Sequence, residues 1–82
     1  MKKELKILML EDSSTDAELI RRFLLKEYTD CHIQLAITRN EFLYTLENFR
    51  PDLILADNSL PQFDATEALR IVRERGILIP FI

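Results

Sequence analysis

The chain has 82 residues, 48% of them hydrophobic, which suits one small compact domain and excludes a disordered tract. A net charge of -3 argues against a nucleic-acid surface. Cys31 is the sole cysteine, which excludes an intrachain disulfide and fits a reducing compartment; no apolar run approaches transmembrane length. The expectation is a soluble, cytoplasmic protein without membrane or nucleic-acid partners.

Apolar runs of strand length alternate with helical patterns along the whole chain. Residues 5–10 form the first predicted strand, too short for a signal-peptide core and running straight into Glu11 and Asp12. Thr15 and Glu18 then read as a capping box, with Ala17, Ile20, Leu24 and Tyr28 at helical spacing. Residues 33–37 are the second predicted strand. Thr38 and Glu41 repeat the capping box, and Phe42, Leu46 and Phe49 share a stripe that must end before Pro51. Residues 53–56 are the third strand. Asp64 and Glu67 make a third cap-like pair, Ala65, Ala68, Leu69 and Val72 share a face, and Gly76 suits the position beyond the helix. The closing "ILIPFI" opens a fourth strand. The order β-α-β-α-β-α-β predicts an α/β fold with a parallel sheet, its strands buried on both faces.

In such sheets ligands bind beyond the carboxyl ends of the strands. Two predicted strands end in acid there, the first in Glu11 and Asp12, the third in Asp57. If those strands are neighbours, three carboxylates crowd one edge, and a cation among them relieves the repulsion. An all-oxygen donor set favours a hard ion such as Mg²⁺. Each acid alone reads equally well as a turn residue or helix cap; the combination on two strand ends is what points to a site. Gly76 is the only glycine, so neither a dinucleotide fingerprint nor a P-loop is available. His32, the only histidine, lies at the start of a strand, away from the acidic edge. The arginines at 21, 22, 70, 73 and 75 sit beside acids on helix faces and read as solvated surface.

The stretches "LMLEDSSTDAELI" and "PDLILADNSLPQFDATEAL" resemble the receiver domain of two-component response regulators, and the resemblance runs along the whole chain in order. It implies a flavodoxin-like (CheY-like) doubly wound sheet, expected order 2-1-3-4. Residues 1–82 would then be the N-terminal two-thirds of a receiver domain, without the last strand and helices. By the same resemblance Asp57 is the phosphoacceptor, supplied by the phosphohistidine of a sensor histidine kinase or phosphotransfer protein. Asp12 ligates Mg²⁺ directly, with Glu11 acting through water or holding the site. Ser59 offers a backbone carbonyl to the metal, and Pro61 shapes the loop. Such a module is not an enzyme beyond self-phosphorylation on Asp57 and slow dephosphorylation.

Ala65 stands where the family usually has glycine, a departure tolerable at a helix start. The hydroxyl residue and the lysine that the family uses beside the phosphoryl group have no counterpart here. The chain is therefore expected not to perform the family's switch by itself. It is also expected to associate with a second copy, as a dimer or by exchanging elements, because the face around Ile20, Phe23 and Leu24 is left partly bare. The alternative is a receiver-like interaction module that is not phosphorylated. A phosphatase of the haloacid dehalogenase kind needs a second acid two residues after the nucleophile, where this chain has Ser59.

Overall fold

The computed structural model describes residues 4–28, 30–56 and 63–82. Three strands, β1 (Leu5–Leu10), β2 (Cys31–Ala36) and β3 (Leu53–Ala56), alternate with three helices, α1 (Ser14–Glu27), α2 (Arg39–Asn48) and α3 (Ala65–Glu74). The sheet is parallel in the order β2-β1-β3. β1 pairs with β2 from Leu5↔Cys31 to Leu10↔Ala36, and with β3 from Ile7↔Leu53 to Leu10↔Ala56. This is the flavodoxin-like arrangement expected from the sequence, in the part that these elements make up.

The predicted fourth strand is present only as a short parallel bridge. Phe81 pairs with Ile54 on the free side of β3, where Pro80 and Ile82 carbonyls accept from Ile54 and Ala56, and the Ile82 N–H returns a bond to Ile54. Its place continues the order 2-1-3-4. Pro80 carries no N–H, so the ladder cannot extend through it as a regular strand. β2 also begins two residues earlier than expected, because Cys31 is buried and pairs with Leu5. Burial pushes the Cys31 thiol up from its ordinary value, in keeping with a small core hydrophobe.

Strand alternation sends one set of side chains to each face. Leu8, Leu10 and Ile54 meet Phe42 and Leu46 of α2, Phe63, and Ala68, Ile71 and Val72 of α3 in one buried cluster. Ile7 and Met9 point the other way, toward the layer of α1, and are themselves buried. The two helical layers are unequal. α1 has no buried residue, and Leu19 and Phe23 are 60% and 61% exposed. The expectation of a bare α1 face matches this exposure.

Each helix is started by a side chain, but not always the one expected. α1 is capped by Ser13, whose Oγ accepts from the Asp16 N–H at 3.2 Å, and not by Thr15. The helix starts two residues sooner because the Glu11 carboxylate holds the Ser13 N–H at 3.2 Å and fixes the turn there. α2 has the expected capping box between Thr38 and Glu41, and Asp64 caps α3 by accepting from the Glu67 N–H. Gly76 takes φ +70 just beyond α3, and Arg50 takes φ 53 between α2 and Pro51. Arg50 is the residue just past the C-cap Phe49, where a left-handed conformation commonly closes a helix.

The capping box yields a pH-dependent expectation. Glu41 accepts from the backbone N–H of Ile37 and then Thr38, which holds its pKa below the ordinary 4.5. A depressed carboxylate stabilises the fold fully above its unfolded pKa, and that contribution is lost as the pH falls through the folded value. The stability gap between the wild-type chain and Glu41→Gln should therefore close in acid. Thr38→Ala should cost about 1 kcal/mol at neutral pH. Urea titrations across the acid range check both, and a gap independent of pH would contradict this account of the cap.

Candidate functional site

The acidic edge is built by strand register. β1 and β3 run side by side, and their last paired residues are Leu10 and Ala56. Both strands thus leave the sheet at the same edge, β1 into Glu11 and Asp12, β3 toward residue 57. The condition set on the sequence, that the two acid-bearing strands be neighbours, is met. Asp57, Ser59 and Pro61 themselves lie outside the described residues.

Glu11 and Asp12 are adjacent in sequence but differ in setting. Glu11 is only 7% exposed, while Asp12 is exposed. An ionised carboxylate has only acceptor sites, and burying it is costly unless donors meet it. The Ser13 N–H supplies one such donor. Glu11 also borders an open cavity of about 310 Å³ at the sheet edge, shared with Ile20, Leu55 and Ala56. Asp12, by contrast, presents its carboxylate to solvent. The pair therefore divides into an acid fixed by the fold and an acid open to a ligand, a division absent from the bare sequence.

Other charged groups serve structure. The Asp64 carboxylate accepts from the Glu67 N–H at 2.8 Å and is engaged in capping α3. Glu67 in turn meets Arg39 at 3.1 Å, linking the first turns of α2 and α3 at this same end of the sheet. That contact was missed from the sequence, since two residues 28 positions apart give no periodic signal. Being partly exposed, it contributes at most a fraction of a kcal/mol, about 0–1. Arg21 and Arg22 pair with Glu18, Arg70 with Glu74, and Arg75 with Glu47, as expected of solvated helix faces. His32 lies 3.6 Å from Glu4, at the opposite end of the sheet from the acids.

Among the described residues, no three His, Cys, Asp or Glu side chains gather closely enough to hold a metal ion. Glu11 and Asp12 alone offer oxygen donors of the kind a hard divalent cation takes. As oxygen donors, their chemistry fits a hard ion such as Mg²⁺. Among the same residues, no helix is long and apolar enough to cross a membrane.

No family model matches the chain. Transcription factor SKN7 of Saccharomyces cerevisiae is 33% identical over 82 residues, which is all of this chain and 13% of that protein. Among solved structures, the signal receiver domain of a protein described as a LuxO repressor, from Vibrio parahaemolyticus, superposes with a TM-score of 0.77 at 22% identity. That match covers 96% of this chain and 59% of the other. The chain thus spans about an eighth of the curated relative and about three-fifths of the solved domain. In fold the chain is similar to that receiver domain, with a parallel β2-β1-β3 sheet and helices of the flavodoxin-like α/β kind.

Proposed function

We propose that the chain acts in a two-component phosphorelay as the module that accepts a phosphoryl group on Asp57. The observation that carries this reading is the register of β1 and β3, which brings Glu11 and Asp12 to the edge that Asp57 follows in sequence. Asp12 and Asp57 would hold Mg²⁺ directly with the Ser59 carbonyl, and Glu11 would hold the site together from its buried position. Bound there, the ion offsets the charge of the acids and of the phosphoryl oxygens.

An Asp57 carboxylate oxygen attacks the phosphorus of a donor phosphohistidine. An acyl phosphate bond forms, the phosphorus–nitrogen bond breaks, and the released imidazole regains a proton. Phosphoryl transfer asks the protein mainly for position and charge, so a rigid strand end with two acids beside it suits the task. The donor would be a sensor histidine kinase or a phosphotransfer protein. The chain serves as a substrate and carrier of the group, with no turnover of its own beyond slow hydrolysis. Pro61 would shape the loop after the acceptor.

Incubation with acetyl phosphate and Mg²⁺, read by intact mass, tests the proposal. The wild-type chain should gain one phosphoryl group, and Asp57→Asn none. A chain that stays unlabelled while its fold is intact by circular dichroism would favour the interaction module that is not phosphorylated.

A further inference from the structure

Among the described residues β2 is an outer strand of the sheet and pairs with β1 alone. Among the described residues no further backbone hydrogen bond reaches positions 31–36. Folded proteins usually blunt such an edge with lysine, proline, a bulge or a covering segment. Here the edge sequence is "CHIQLA", without a Lys, Arg, Asp, Glu or Pro, and its register with β1 is unbroken over six residues. Leu35, the fifth of its six residues, is 43% exposed. On one face Ile33 and Leu35 line an open groove of about 350 Å³ with Ala17, Glu18 and Arg21 of α1. On the other, Gln34 lies beside Tyr44 and Asn48 of α2.

We propose that β2 is a self-complementary edge that pairs antiparallel with β2 of a second copy of this chain, Gln34 opposite Gln34, joining two sheets into one. In that register Ile33 of each copy stands opposite Leu35 of the other. The four side chains form one apolar stripe on the α1 face, while the two Gln34 amides meet on the α2 face. Opposed apolar pairs and matched amides are the units that stabilise antiparallel strands.

The charges on α1 favour a second copy over an unrelated strand. α1 is the crossover between two parallel strands, so it runs back along the sheet, with Glu18 toward the level of Leu35 and Arg21 toward that of Ile33. The two-fold relation then sets Glu18 of each copy against Arg21 of the other. A foreign strand could complete the backbone ladder but would not reproduce this reciprocal pairing. The inference stands apart from phosphorylation and uses none of the acidic edge.

Sedimentation equilibrium of the full 82-residue chain tests it. The wild-type chain should sediment as a concentration-dependent dimer, and Leu35→Lys should raise the dissociation constant by about tenfold or more. Glu18→Arg and Arg21→Glu, at exposed helix positions, should each weaken the homodimer by setting like charges face to face. Mixed in equal amounts, those two variants should recover the dimer, because every facing pair is then opposite in sign. A wild-type chain that remains monomeric overturns the proposal. So does a mixture that fails to recover association, which also covers the case in which the lysine variant misfolds.

Discussion

Phe42→Ala is expected to remove most of the stability of this domain. The Phe42 ring is wholly buried, meets Leu8, Leu10 and Ala36 in the main core, and lies 5.2 Å from the Phe63 ring at a tilt of 48°. Truncating a buried phenylalanine costs about 3–5 kcal/mol, through lost transfer energy and the cavity left behind. Natural domains hold only roughly 5–15 kcal/mol in total, and short chains fall at the low end. Phe63 directly follows the 57–62 segment, so the same ring pair anchors the chain just downstream of the proposed acceptor. Tyr44→Ala on the same helix, at a position 70% exposed, should change stability by no more than about 0.5 kcal/mol. Urea unfolding followed by circular dichroism checks the contrast, and equal effects at the two positions would contradict the layered core.

Neutralising the acidic edge should separate ligand binding from folding. Asp12 is exposed, so Asp12→Asn should leave the fold intact while lowering Mg²⁺ affinity by about tenfold or more. Glu11→Gln should also weaken Mg²⁺ binding, but it additionally changes a buried group that holds the start of α1. The neutral amide keeps an oxygen to accept from the Ser13 N–H, so the metal-free variant should retain the turn that starts α1 and still unfold cooperatively. Backbone amide shifts during Mg²⁺ titration read the first effect and thermal unfolding the second. Unchanged Mg²⁺ affinity in both variants would remove these acids from the site.

The fold was legible because burial on both sheet faces leaves continuous apolar strands, and capping residues punctuate the helices between them. The pairs Thr38–Glu41 and Asp64–Glu67 act as their spacing predicts. "SST" at residues 13–15 offers three equally good caps, and spacing alone favoured Thr15; the turn that the buried Glu11 makes with the Ser13 N–H selects Ser13 instead. The fourth strand was overstated because apolar content reads the same whether or not a proline interrupts the ladder. At the site, the neighbourhood of the two acid-bearing strands was a condition that the residues left open and the resemblance alone supplied, and the β1–β3 register meets it. The unlike burial of Glu11 and Asp12 was not legible, since it depends on which residue the turn after Leu10 folds inward. Neither was the Asp52 carboxylate that accepts from the Lys6 N–H, a contact between residues 46 apart. Short-range patterns name the elements, whereas such contacts arise only once the strands are set side by side.

The central claim is that the carboxylate at position 57 is the group that takes the phosphoryl. Borohydride reduction of the acetyl phosphate-treated chain, followed by peptide mass mapping, tests it most directly, because an aspartyl phosphate is converted to homoserine where it formed. The account predicts homoserine at position 57, dependent on Mg²⁺ and absent when the ion is chelated. Homoserine at position 12, or a phosphate that survives reduction on a hydroxyl side chain, would contradict it.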